Sequence, residues 1–286
     1  MKNNAFVRPA LEPWLLHEDY ARNLETLHKI QSGKISAPKI DRNEIFAAAL
    51  LSEARQETPS VSQKRIAVIS MRGLLTAYGD WWWLGADDYL DLFRKLNDND
   101  QIGAVVVKMD GPGSSIDAIN IMKEFANEKR KPFVVLANKC FSGYYWSAIH
   151  IADHIMAYGN ISSGFGSIGV LNVIADYRKY DEINGFKTLI IRAPQSTTKA
   201  QAMVDYYDGK DDAFIEAMKE EMRPMAAAFI NDVKSQRKKL KTDTEGLFTG
   251  STFTASESLK IGLIDSIGDE KLAVQKAQIL MELKNY

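Results

Sequence analysis

The feature that most constrains this chain is a series of short, almost uninterrupted apolar segments separated by amphipathic ones. Ile66-Ala67-Val68-Ile69-Ser70, Ile102–Met109, Pro132–Ala137 and His154–Ala157 form that series. Within it, Ala104-Val105-Val106-Val107 is too apolar for a strand with one wet face. Strands covered on both faces read this way. Between them, Ala86–Leu96 carries Tyr89, Leu90, Leu92, Phe93 and Leu96 as an apolar stripe at helical spacing. Ile116–Asn127 and Gly143–Ala152 read as further helices. The alternation predicts an α/β fold with a parallel sheet flanked by helices. Beyond Gly169 a helix is expected at Asp176–Asn184, a strand at Thr188–Arg192, and a long charged helical region from Ala200 to Leu240.

Residues 1–63 differ in character and are expected to form a helical N-terminal extension, leaving 64–286 as the main domain. Helices are expected around Tyr20–Ile30 and Asn43–Arg55, followed by a polar linker at Gln56–Gln63. Trp14, in Pro13-Trp14-Leu15-Leu16, reads as an anchor onto the main domain. Trp81, Trp82 and Trp83 cannot all enter one core if extended, because successive side chains alternate faces. At least one of them is expected to meet a partner, a substrate or a lid.

Charge and composition exclude several function classes. Lys+Arg of 36 against Asp+Glu of 37 leaves a formal charge of -1, so nothing marks nucleic acid or an anionic membrane as the partner. The N-terminus lacks an apolar core of signal-peptide length, and no membrane span is expected. The single cysteine, Cys140, offers neither a disulfide nor a zinc cluster. His150 and His154 could share a helix face, but no H-E-x-x-H pattern surrounds them, and they read as partly exposed helix residues. The loop Ser162–Gly169 fits neither a P-loop nor a dinucleotide fingerprint. No metal and no cofactor are expected.

Three loops follow predicted strands, where open α/β sheets place their sites. They are Asp110-Gly111-Pro112-Gly113-Ser114-Ser115, Lys139-Cys140-Phe141-Ser142-Gly143-Tyr144-Tyr145-Trp146 and Ser162–Gly169. Ser142 sits where a helix begins. It can be read as a nucleophile in the favourable field of the helix N-terminus or as a simple N-cap.

Taken together, Asp110–Ser114, Phe141–Trp146, Gly166-Ser167-Ile168-Gly169 and Gln195–Lys199 resemble the motifs of the S49 peptidase family. That family includes signal peptide peptidase A and phage head-maturation proteases. Phe248-Thr249-Gly250 and the stretch from Ala255 to Asp265 resemble its C-terminal signature, so the likeness covers roughly 65–270. The resemblance implies a ClpP/crotonase-like fold and a serine peptidase with a Ser-Lys dyad. It makes Ser142 the nucleophile, Lys199 the general base, and Gly113 and Gly143 the oxyanion hole. Gly111, Pro112, Ser114, Gly166 and Ser167 would contact the substrate. Lys187 is the rival base, set just before a predicted strand.

The resemblance further implies a polypeptide substrate (a capsid or scaffold protein), a homo-oligomer, and a place in the bacterial cytoplasm or a phage prohead. A host peptidase clearing signal-peptide remnants is the alternative within the family. Three residues depart from the family pattern. Ser114 replaces a glycine, and Phe141 and Tyr144 replace small residues beside Ser142. These departures, and a register one residue long between Ser142 and Asp153, keep open a non-catalytic assembly protein. A crotonase-type acyl-CoA enzyme would use the same sheet, but it leaves Lys199 unexplained.

Overall fold

Val105, Val106 and Val107 are all fully buried, as a strand covered on both sides must be. They lie on β3 (Ile102–Gly111) of a computed structural model that describes residues 14–16, 41, 64–80 and 83–284. The main sheet runs in the order β2 (Arg65–Arg72), β3, β5 (Phe133–Phe141), β6 (His154–Tyr158) and β9 (Ser266–Gly268), every neighbouring pair parallel. Helices α1 (Ala86–Asp98), α2 (Ile116–Glu128) and α3 (Gly143–Ile151) connect successive strands. The expected α/β class, with its parallel sheet and flanking helices, is therefore observed.

Alternation along the strands divides the core in two. Ile69, Val105, Val107, Val135 and Ala137 face the connecting helices. On that side Phe93, Phe125 and Phe133 form a cluster with ring centroids 5.0–5.5 Å apart, a spacing suited to edge-on contact. Ile66, Val68, Ala104, Val106, Val134 and Leu136 face the other way, onto Ala273, Val274, Ala277 and Met281 of α8 (Glu270–Lys284). A Cβ at Gly103 would lie 2.0 Å from the Met281 sulfur, so glycine lets α8 settle directly on β3.

Two sequence expectations change beyond Gly169. No strand forms over Thr188–Arg192; the segment is irregular and largely exposed. Its β-branched and apolar residues have strand propensity, but a strand also needs a partner edge. The expected helix there is shorter, α4 (Arg178–Ile183). The long helical region resolves into α5 (Gln201–Tyr207) and α6 (Asp211–Gln236). The latter docks on α3 through a parallel stack of Trp146 on Phe229, with centroids 4.5 Å apart.

The histidines also differ from expectation. His150 lies on α3 while His154 opens β6, so they share no helix face. His150 bonds Asp232 at 3.0 Å and His154 bonds Ser266 at 2.7 Å, and burial pushes both imidazoles below their ordinary pKa. Among the described residues, no group of His, Cys, Asp or Glu could hold a metal. No helix there is long and apolar enough to cross a membrane. The helices expected around Tyr20–Ile30 and Asn43–Arg55, the linker, and Trp81 and Trp82 lie outside the described residues. Trp14–Leu16, N-terminal to both of those expected helices, forms strand β1.

The C-terminal signature closes the sheet. Helix α7 (Ala255–Ile261) opens with a Thr254–Glu257 capping box and ends at Gly262, whose φ of 87° is ready access for glycine alone. The turn delivers Asp265 to β6, where its carboxylate accepts from the Ile155 N–H at 2.8 Å and from Arg237 at 2.8 and 3.1 Å. Burial by itself would raise the Asp265 pKa, but the bonds from Arg237 and Ile155 outweigh it and hold the carboxyl below its ordinary range. A depressed carboxyl pKa stabilises the fold above its unfolded value of about 3.9, and that contribution fades as pH falls through the folded value. Asp265→Asn should therefore cost about 2–3 kcal/mol near neutral pH. Urea titrations of variant and wild type should begin to converge only as pH falls below about 4, and should meet below the folded value.

Candidate active site

The site is made by a strand that changes partners. Val134–Ala137 of β5 pairs with β6, while Lys139–Phe141 pairs with the three-residue strand β7 (Gly164–Gly166). On the other edge, Met109 stands opposite Ala137 but Gly111 stands opposite Cys140, so β5 carries an extra residue there. Such a bulge bends and twists a strand. Asn138 occupies it, accepting from Ser162 Oγ at 3.0 Å and lying 3.5 Å from Asp110. Asn138 is not among the residues expected at the site; its one signal in the sequence is a strand-averse residue inside an apolar run.

Immediately past the bent strand comes Ser142, with φ 50° and ψ -120°. A positive φ at a non-glycine residue is costly and marks a tightly determined turn. Two backbone bonds hold it: the Ser142 N–H donates to the Gly166 carbonyl at 2.8 Å, and the Trp146 N–H donates to the Ser142 carbonyl at 3.0 Å. The side chain caps nothing in α3, so the N-cap reading of this serine is set aside. Among the described residues its hydroxyl donates only to the Gly169 carbonyl, at a long 3.4 Å. The result is a buried, loosely committed hydroxyl at a helix N-terminus, where unpaired N–H groups favour a developing negative charge.

The other expected residues gather around this turn. Gly111 ends β3, and Pro112, Gly113 and Ser114 are buried beside it. Gly113 adopts φ 145° and opens the short strand β4 (Gly113–Ser115). Gly143 is the first residue of α3. Gly166 pairs with Phe141, and Ser167, at φ 54°, donates to the Ser251 carbonyl at 2.8 Å. Thr252–Thr254, strand β8, backs β7 in antiparallel fashion. Strands as short as β7 and β8 leave no periodicity to read, and they exist through tertiary pairing.

The three departures from the family pattern each face a glycine. A Cβ on Gly111 would lie 2.3 Å from the Tyr144 ring, one on Gly143 2.0 Å from Ser114 Oγ, and one on Gly164 2.8 Å from the Phe141 ring. The bulkier side chains therefore fill space that glycines leave open. None of them displaces Ser142 from the strand–helix junction.

Among the described residues, no hydrogen bond within the chain joins Lys199 to Ser142. Lys199 is exposed on the turn before α5, and among the described residues its side chain makes no hydrogen bond or ion pair. Lys187 is likewise exposed. Around them Ile183, Phe186, Leu189 and Ile191 are also exposed, Ile191 to 89%. Cys140 is buried, and that burial pushes its thiol pKa well up, away from nucleophilic use.

A parallel sheet covered by helices, with a strained serine between strand and helix, defines an α/β protein whose candidate site lies at the carboxyl end of β5. Residues 125–284 match the profile of peptidase family S49. That stretch is more than half of the chain, and the protein belongs to this family. It takes in Ser142, Gly143, Gly166, Ser167 and Lys199 but not the Gly111–Ser114 loop. Protease 4 of Haemophilus influenzae is 26% identical over 222 residues, covering 76% of this chain and 35% of that protein. Protease 4 of Salmonella typhi is 25% identical over 235 residues, covering 80% and 37%. The chain thus spans just over a third of the length of these relatives. Among solved structures, a mutant of the 1510-N membrane-bound stomatin-specific protease gives a TM-score of 0.48 at 15% identity, over 76% of this chain and 86% of its own. An enoyl-CoA hydratase/isomerase family member gives 0.43 at 15%, over 77% and 74%.

The fit of Phe141 against Gly164 can be measured. The nearest other atom to a Cβ at Gly164 is the Phe253 carbonyl oxygen, at an ordinary 3.7 Å. Gly164→Ala should cost about 1–3 kcal/mol in the wild-type chain. Most of that cost should vanish in a Phe141→Ala background, a coupling of about 1 kcal/mol or more in a double-mutant cycle followed by urea unfolding.

Proposed function

We propose that this protein is a serine endopeptidase in which Ser142 is the nucleophile and Lys199 the general base. The observation that carries this reading is the Ser142 backbone, φ 50° and ψ -120°, with a hydroxyl that caps no helix. Attack by Oγ on a peptide carbonyl carbon would pass the hydroxyl proton to the Lys199 amine. The N–H groups of Gly113 and Gly143 would hold the oxyanion, each donor being worth on the order of 3 kcal/mol. Collapse expels the amine, which takes up that proton and leaves an ester on Ser142. Water, deprotonated by the same lysine, then releases the acid. Gly111, Pro112, Ser114, Gly166 and Ser167 would line the bound peptide.

A lysine works as a base only when desolvation or positive neighbours lower its pKa. An exposed Lys199 on an arm rich in exposed apolar residues supports an assembly that shields it. In the proposed homo-oligomer, the 173–199 arm of one copy covers the Ser142 site of another and brings the base in trans. Patches of this kind on soluble proteins mark interaction surfaces. The proposed substrates are capsid or scaffold proteins within a phage prohead, in the cytoplasm of a bacterial host. That assignment rests on family likeness alone. The non-catalytic scaffold reading draws on Ser114, Phe141 and Tyr144, and the glycines opposite them weaken it.

A fluorophosphonate probe should add covalently to the wild type, read by intact mass, and fail with Ser142→Ala and with Lys199→Ala. Peptide hydrolysis should fall about a thousandfold or more in either variant. Mixed assemblies of the two variants should recover activity, because one interface then pairs an intact serine with an intact lysine. A folded, assembled wild type that never labels would favour the scaffold instead.

A further inference from the structure

Strand β1 belongs to no part of the main sheet. It lies antiparallel to β4, with Trp14 opposite Ser115, Leu15 opposite Ser114 and Leu16 opposite Gly113. The other edge of β4 is taken by Leu75, whose N–H donates to the Gly113 carbonyl at 3.3 Å and whose carbonyl accepts from the Ser115 N–H at 2.9 Å. Because peptide groups alternate sides along a strand, those of Ser114 face the opposite edge, where Leu15 stands.

That edge adjoins the nucleophile. A Cβ on Gly143, the residue after Ser142, would lie 2.8 Å from the Ser114 backbone nitrogen. The direction of β1 matters as much as its place. Running from Trp14 to Leu16, it approaches Gly113 with its carboxyl side leading. A peptide offering a carbonyl to Ser142 has to arrive in the same sense, as an added strand whose last residue lies beside the oxyanion donors.

We propose that Trp14–Leu16 is a built-in occupant of the peptide-binding edge, with Leu16 in the position of the residue whose carbonyl is attacked. The site would accordingly take extended peptide segments that add to β4 as an antiparallel strand with their carboxyl side toward Gly113. An incoming peptide has to displace the chain's own strand first. A tethered competitor of this kind acts at an effective concentration of about millimolar. The inference rests on the reading of Ser142 as nucleophile, and it adds to that reading both a regulation of the site and a class of segment that it accepts.

The test uses the full chain carrying Ser142→Ala, which cannot process itself. A fluorescently labelled peptide with the sequence of residues 11–19 is titrated by anisotropy against this chain and against the same chain with Leu15→Pro. Proline removes the N–H that faces Ser114 and should free the edge. The peptide should bind the proline variant at least about tenfold more tightly. A second variant, Trp14→Asp with Leu16→Asp, keeps the backbone N–H groups and guards against a fold defect in the first. Its edge should open in the same way.

Equal affinities for chains of equal thermal stability, or no binding to any of them, would overturn the inference. Fluorophosphonate labelling of the wild type separates the two claims. An unlabelled wild type whose proline variant still gains affinity loses the catalytic role and keeps the occupant. A labelled wild type with no gain keeps the catalytic role and loses the occupant.

Discussion

Everything distinctive about this site depends on β5 being unable to continue straight. Past Ala137 the strand takes an extra residue against β3 and exchanges β6 for β7 as its neighbour. Asn138 satisfies the bulge through side-chain bonds that an apolar residue would not make. The bend aims the chain so that Ser142 must turn at a positive φ before α3 begins. Its N–H then meets the Gly166 carbonyl, which ties the turn to the very strand that caused the bend. The serine's strain is thus held by hydrogen bonds on both sides rather than by its own preference.

Around that turn, volume has been redistributed rather than added. Tyr144, Ser114 and Phe141 are larger than the family pattern at their positions, and each presses on a glycine that lacks the Cβ it would strike. Tyr144 and Ser114 are wholly buried, so the fit is made inside a close-packed interior where a single methyl group is felt. These glycines are required by contact with a neighbour as much as by backbone conformation. Gly164 has no unusual φ at all.

The central fold could be read from the sequence because burial on two faces leaves an unmistakable composition, as in Val105-Val106-Val107. The serine turn could be read because strand, Gly-flanked serine and helix follow one another directly. What escaped the sequence was set by distant pairing. Strands β7, β8 and β9 have three residues each and owe their existence to the edges they meet. The converse error came at Thr188–Arg192, where propensity was present and no edge was. Lys199 was legible as a motif, but a motif carries no information about which surface of which copy it faces.

The helix that covers one whole face of the sheet is encoded more than a hundred residues after the strands it protects. Ile66, Val68, Ala104 and Val106 wait for Ala273, Val274, Ala277 and Met281 to cover them. On the ribosome, that apolar face stays wet until residue 284 has cleared the exit tunnel, although every strand from β2 to β6 has by then emerged. Synthesis at about 5–20 residues per second makes this a delay of several seconds. Nascent chains therefore carry an uncovered apolar face on the side of the sheet away from the helices that connect its strands.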